Sequence, residues 1–340
     1  MSGERTRIVS EVDFEQDGKQ TGFLRLFHSV HASAYGFIPI PIVVVRNGAG
    51  PTALFISGNH GDEYEGQVAL GNLARSLSPE KIKGRVIILP AANLPASLAG
   101  RRTSPIDDGN LNRSFPGRAD GSVTEQVAFY IEHELMPRAD LACDLHSGGS
   151  SLMYLPSALI KRSADPQRMQ KLVAALASFG APRTYIGGSG QGQGADRTAT
   201  GAAERAGVVI VGTELGGTGT VTPAALAIAE RGVRNLLVHA GILPETERTV
   251  APEPTRTLEV GGPDYFTYAS ENGVFEPMVV LGDEVRSGQQ AARIHFPETP
   301  WRQPAEVAFQ RAGLVLCHRI PGRTARGDCL FHLATDLAHH

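Results

Sequence analysis

His60 and Glu63 stand three residues apart in SGNHGDEYEG, residues 57 to 66, directly after the apolar run TALFI. An imidazole and a carboxylate at that spacing suit two ligands of a divalent metal, and they suit equally an ordinary polar turn at the end of a buried strand. A catalytic zinc site takes three protein ligands and leaves a fourth position for water, so a third ligand is needed from elsewhere. Of the eleven histidines, His146 in CDLHSGG meets the requirement best, because it also closes an apolar run and is followed by glycines that let a backbone approach. Asp144, two residues earlier, shares its face if the segment is extended. It is placed to orient a metal-bound histidine, or to form a buried pair with no metal.

Glu214 in VVIVGTELGG ends a third apolar run. A carboxylate there is costly to desolvate unless it is paired or has a chemical task, and the task on offer is that of general base to a bound water. The polar segment RRTSPIDDGNLNRSFPG comes after the run RVIILP. Its Asn112 and Arg113 put an amide beside a guanidinium, suited to fixing a carboxylate, and Arg102 is in reach of a developing oxyanion. Four further histidines, His28, His31, His339 and His340, have no matching carboxylate. The segment GGSGQGQG from Gly187 fits no dinucleotide or phosphate-loop spacing and reads as a mobile loop.

These residues need elements that bring them to one edge. From residue 52 to about 240, the apolar runs TALFISG, RVIILP, LACDLHS, LMYLP and VVIVGTE alternate with helical periodicities, which predicts an α/β sheet with crossover helices. Leu70, Leu73, Ala74 and Leu77 share a helical face that ends at Ser78 and Pro79. Ser122 with Glu125 forms a capping box, and Thr222 with Pro223 reads as an N-cap and first helical residue. The first 50 residues read as strands and turns. In open α/β sheets, sites lie beyond the carboxyl ends of the strands, where His60, Glu63, His146 and Glu214 all fall.

The 340-residue chain is 41% hydrophobic and 20% charged, with a net charge of -3, which speaks against nucleic acid and anionic membranes as partners. It has no apolar run of about 18 residues and no signal-peptide core at its amino terminus, so a cytoplasmic protein is expected. Cys143, Cys317 and Cys329 are odd in number and lack C-x-x-C spacing, and they read as core residues. After the Pro-rich stretch GILPETERTVAPEPTR the pattern turns to glycines and short β runs, so the expected division is a catalytic domain over 1–248 and a β-rich domain over 249–340. Within the tail, GVFEPMVVLGDEVRSGQ and GLVLCHRIPGRTARGD echo each other and resemble the half-motifs of biotinyl and lipoyl carrier domains. A carrier needs a lysine to acylate, and none occurs after Lys171, so the tail is expected to be a structural cap.

The ordered set GNHGDE, NLNRSFPG, DLHSGG and GTELGG resembles the succinylglutamate desuccinylase and aspartoacylase family of zinc amidohydrolases, over about residues 20 to 340. The resemblance implies a zinc-carboxypeptidase-like mixed sheet flanked by helices, with a lipoyl-like barrel-sandwich tail. It implies one zinc ion per subunit on His60, Glu63 and His146, with Glu214 as the catalytic glutamate. Asn112 and Arg113 match the residues that hold the substrate carboxylate, and Arg102, rather than its neighbour Arg101, is assigned to the scissile carbonyl. A homo-oligomer and a small N-acyl amino acid substrate are implied as well. Within the family, the RTSPID and DLHSGG segments look most like the N-alpha-acetyl-L-2,4-diaminobutyrate deacetylases of ectoine breakdown. A deacylase of acidic N-acyl amino acids, and then a zinc carboxypeptidase, are the alternatives. A side-chain ammonium would be met by Asp196 or Glu204, and an acidic side chain by Arg197, by position alone.

Overall fold

Three short parallel strands, Thr52–Ser57, Leu141–Leu145 and Val209–Glu214, lie side by side at the centre of a mixed sheet. The first two are buried on both faces, as near-continuous apolar runs should be when helices cover both sides. The register sets Ile56 and Gly212 both opposite Asp144, so the three chains leave the sheet at one level. The computed structural model describes residues 5–187 and 195–338. The glycine-rich segment 188–194 and the carboxyl-terminal His339 and His340 lie outside them.

The sheet continues on one side through Gly84–Leu89, Phe37–Asn47 and Gly18–Phe27. Phe37–Asn47 and Gly18–Phe27 are the expected amino-terminal strands, paired antiparallel over ten positions from Gly18↔Arg46 to Phe27↔Phe37. On the other side come Ser157–Lys161, Arg183–Gly187 and Arg256–Val260. The expected division at 248/249 falls just ahead of Arg256–Val260, and main-chain pairing carries the sheet across it.

Helices Tyr64–Ser76, Pro166–Phe179 and Pro223–His239 cover one face of the sheet, burying Leu70, Leu73, Leu176 and Leu236 against Phe55 and Val211. Tyr64–Ser76 is capped at Leu77, one residue ahead of the expected stop at Ser78 and Pro79. Val123–Tyr130 and Ala199–Ala206 cover the other face, with Val127, Ala128 and Ala202 against Leu54 and Ile56. The expected caps are present: the Ser122 hydroxyl accepts from Glu125 N while the Ser122 N–H donates to the Glu125 carboxylate, and Thr222 accepts from Ala225 N.

Gly232, inside Pro223–His239, faces the ring of fully buried Phe179, where a Cβ would stand 2.2 Å from the nearest ring atom. Helix propensity alone favours alanine there by about 1 kcal/mol. Overpacking a rigid interior costs about 1–3 kcal/mol, so packing wins. Gly232→Ala is therefore expected to destabilise the protein, read as a lower urea midpoint at unchanged slope; a raised midpoint would show that the ring moves freely.

The tail repeats one plan twice. Strands Gly273–Pro277, Glu284–Val285 and Gln290–His295 are followed by Gly313–Arg319, Arg323–Thr324 and Cys329–Asp336. Each short middle strand pairs with the first strand of the other copy, Glu284–Val285 with Gly313–Arg319 and Arg323–Thr324 with Gly273–Pro277. Gly288 and Gly327, at matching turns, have φ of +78° and +92°, which explains the glycines. The tail is bound to the rest through Arg256–Val260 and through Leu152–Tyr154, which pairs with Gly313–Arg319. Among the described residues no helix is long and apolar enough to cross a membrane.

Candidate functional site

The loop after Thr52–Ser57 makes a tight passage before helix Tyr64–Ser76 begins. Gly58 has φ +66°, and at Gly61 a Cβ would fall 2.0 Å from the Ala96 carbonyl, so both positions admit glycine alone. The Gly61 N–H donates to the Arg101 carbonyl at 2.8 Å and ties this loop to the arginine segment. His60 and Glu63 are thereby held 3% exposed.

His60, Glu63 and His146 meet at the strand ends, with one ligand atom of each within 4.8 Å of the others, a group able to bind a metal ion. Glu63 bridges the two rings: Oε1 lies 2.6 Å from His60 Nδ1 and Oε2 2.8 Å from His146 Nδ1. On the far side of each ring, Nε2 meets an oxygen, Asn110 Oδ1 at 3.1 Å for His60 and Asp144 Oδ2 at 2.8 Å for His146. Asp144 is itself fixed by the Asn59 amide, which donates to both its oxygens at 2.8 and 2.9 Å.

This wiring decides what the centre can hold. Nε2 of His146 donates to the Asp144 carboxylate, so a neutral ring turns the Nδ1 lone pair toward a Glu63 oxygen. Two acceptors at 2.8 Å need a positive charge between them. In the protein alone that charge is a proton: burial opposes it, but Asp144 and Glu63 together raise the His146 imidazole well above the usual value. A divalent cation would supply that charge in the proton's place, and two imidazoles with a carboxylate are a donor set that suits one, so the residues fit a divalent metal. Burial pulls the pKa of His60 down and so favours the neutral imidazole that a metal takes as a ligand. Glu63 stays ionised because the two imidazoles outweigh its burial.

Glu214, the last residue of Val209–Glu214, lines the same cavity, and its Oε2 is buried with no hydrogen-bond partner. Burial, then the charge of Glu63, pushes its carboxyl up to about 8. With no cation beside it such a carboxyl keeps its proton near neutral pH, and a positive charge at the neighbouring group would favour its ionised form. Arg102 Nη1 is 3.3 Å from His60 Nδ1 and 3.5 Å from Glu63 Oε1 and lines the cavity. Arg101 is exposed and contributes its carbonyl to the loop instead. Asn112 accepts from Ala199 N at 2.9 Å and turns Nδ2 toward His146 Nε2 at 3.3 Å, so its remaining donor capacity faces the centre. Arg113 lines the cavity beside it.

Other expectations fall elsewhere. Asp62 is buried yet belongs to the loop: its Oδ2 accepts from the Ser150 N–H and hydroxyl at 2.8 and 2.7 Å. Glu204 is turned to Lys161 at 2.6 Å, and Asp196 and Arg197 are exposed; none of the three lines the cavity. His28 and His31 lie between the two amino-terminal strands, away from it. Asn59 and Asn110, the orienting amides, were not anticipated; only their adjacency to His60 and to the Asn112–Arg113 pair hints at them. Also unanticipated is the cavity's other wall, which is aromatic and largely supplied by the tail: Tyr154, Tyr185, Phe266, Tyr268 and His332.

The family model described as the succinylglutamate desuccinylase/aspartoacylase catalytic domain matches residues 49–240. A Halomonas elongata protein named N-alpha-acetyl-L-2,4-diaminobutyric acid deacetylase is 44% identical over 327 residues, spanning 96% of this chain and 94% of its own. Among solved structures, the product-bound ectoine utilization protein EutE of Ruegeria pomeroyi is 43% identical with a TM-score of 0.93, over 98% of this chain and 99% of that one. A succinylglutamate desuccinylase/aspartoacylase from Rhodobacter sphaeroides is 39% identical with a TM-score of 0.91, over 98% and 100%.

Proposed function

The chain belongs to the succinylglutamate desuccinylase/aspartoacylase family, and from that premise we propose that it is a zinc-dependent amidohydrolase converting N-alpha-acetyl-L-2,4-diaminobutyrate to L-2,4-diaminobutyrate and acetate. The observation that carries the reading is the buried group of His60, Glu63 and His146 beside Glu214, whose Oε2 has no hydrogen-bond partner, at or just beyond the ends of three adjacent strands. The relatives that bear this activity or pathway in their names support the substrate.

His60, Glu63 and His146 would hold one zinc ion per subunit, which would supply Lewis acidity toward a water and the acyl carbonyl. Glu214 takes the proton of the attacking water and returns it to the departing nitrogen. Arg102 donates to the carbonyl oxygen as it gains charge, an interaction that strengthens toward the transition state. Arg113 and the Asn112 amide keep the α-carboxylate in register. Asp144 and Asn110 meet Nε2 of the two imidazoles and would orient the rings toward the metal.

The test is turnover by the zinc-loaded protein of N-alpha-acetyl-L-2,4-diaminobutyrate, N-acetyl-L-aspartate, N-succinyl-L-glutamate and a carboxypeptidase peptide. The first is expected to be preferred; preference for either dicarboxylic compound would replace the substrate assignment, and preference for the peptide the reaction class. The Gly61 contact carries a second expectation: Gly61→Ala displaces the ligand loop from the Ala96 carbonyl and lowers zinc affinity by about tenfold or more in a chelator competition. Unchanged affinity would mean that the loop does not position His60 and Glu63.

The strand exchange in the tail supports a lipoyl-like barrel-sandwich over 249–340, kept as a wall of the cavity. A cytoplasmic homo-oligomer completes the reading, with sedimentation of the purified protein as its check.

A further inference from the structure

The cavity encloses about 470 Å³, and the metal-ligand group and Glu214 occupy only part of its lining. Beyond them His332, 4% exposed, stacks on Phe266 with centroids 4.3 Å apart and receives the edges of Tyr154 and Tyr185 at 5.9 and 6.0 Å. Tyr268 continues the wall from Phe266 and is half-exposed. His332 Nε2 is buried with no hydrogen-bond partner. Glu214 is within electrostatic reach of Tyr154 and Tyr185, which joins this chamber to the reaction centre.

The chamber's charge content decides what fits. The cationic residues lining the cavity are Arg102 and Arg113, which belong to the reaction centre, and Lys161, which is held by Glu204 at 2.6 Å. A second substrate carboxylate would meet negative ring faces with no free cation among the described residues, at the cost of an unpaired buried charge. A cation meets the opposite situation, because ring faces attract it once water is excluded. His332 is kept uncharged by burial, its pKa pulled down to about 3, so it does not repel a cation. Nδ1 lies 3.4 Å from the Tyr154 oxygen, and in the tautomer that carries its proton on Nδ1 the unpartnered Nε2 presents a lone pair to an N–H donor.

We infer that the chamber formed by Tyr154, Tyr185, Phe266, Tyr268 and His332 is the subsite for the side-chain ammonium of the substrate, held on ring faces and His332 Nε2 rather than by an acidic partner. The inference rests on the deacylase reading above and adds to it the residues that set side-chain selectivity.

The experiment compares kcat/KM for N-alpha-acetyl-L-2,4-diaminobutyrate with that for N-acetyl-L-norvaline, in which a methyl replaces the ammonium at nearly equal shape. The readout is the ratio of the two in wild type, Tyr268→Leu, Tyr268→Phe and Phe266→Leu, all zinc-loaded. The ratio is expected to fall by about five- to thirtyfold in each leucine variant, chiefly through KM, and to be rescued by Tyr268→Phe, which keeps the ring. Since Tyr268 is half-exposed, its variants remain informative if Phe266→Leu fails to fold. Wild type active on both compounds, with a ratio that moves by less than about twofold in the leucine variants, overturns the subsite alone. Wild type inactive on both overturns the deacylase reading and the subsite with it.

Discussion

Glu214→Ala is expected to lower kcat on the acetylated substrate by about 10²- to 10⁴-fold, the usual range for loss of a positioned acid/base group, while the protein keeps its fold and its zinc. The size of the effect stems from where Glu214 sits. Its carboxyl borders the metal-ligand group without belonging to it, and Oε2 is spent on no other contact. Removing it breaks none of the hydrogen bonds that hold His60, Glu63 or His146. Burial of an unpartnered polar atom is a cost to the folded state, so the variant should be at least as stable as wild type by thermal melting. Glu214→Gln separates two roles, because the amide retains polarity and shape but cannot take a proton. Equal loss in both variants identifies proton transfer; a glutamine variant within about tenfold of wild type would reduce Glu214 to a polar wall, since base catalysis is worth more than that.

The central sheet was legible because buried parallel strands are apolar along their whole length, and TALFIS, LACDL and VIVGTE carry little else. The residues that end or succeed each run then fall at the carboxyl edge by topology alone, which is why His60, Glu63, His146 and Glu214 could be gathered before any coordinates. Which strands are neighbours, and that Ile56 and Gly212 both register with Asp144, depends on pairing across more than 60 residues that a single sequence does not encode locally. The aromatic wall was hidden for the same reason, since Phe266, Tyr268 and His332 reach the cavity only because Phe266–Tyr268 and Cys329–Asp336 pair beside it. Asp196, Glu204 and Arg197 were sought near the substrate by chain position. Helical phase was the better guide: Ala199–Ala206 buries Ala199, Ala202 and Ala203, which leaves Glu204 turned outward to Lys161.

The contrast between two adjacent acids gives the second large effect. Glu63→Gln is expected to weaken zinc binding by about a hundredfold or more, because even partners one shell further out typically cost 10- to 100-fold. The amide has nearly the same shape, so the loss is one of charge and donor type. A buried amide N–H would occupy one imidazole Nδ1, and the ligand group would lose its one carboxylate. Asp62→Asn should retain the metal, because Asp62 lies outside the ligand group and accepts from Ser150 instead. Its cost falls on stability: weakening buried hydrogen bonds to a charged acceptor is worth about 1.5–3 kcal/mol. The two variants therefore separate on two axes. Zinc at a hundred times its Kd stabilises a binding-competent protein by about 2.7 kcal/mol, so wild type and Asp62→Asn should gain in melting temperature when zinc is added, the latter from a lower start. Glu63→Gln, at a hundredfold weaker affinity, should gain no more than about 0.4 kcal/mol at the same zinc concentration. The reverse outcome, with zinc response lost in Asp62→Asn and kept in Glu63→Gln, would move the metal from the pair three residues apart to the acid between them.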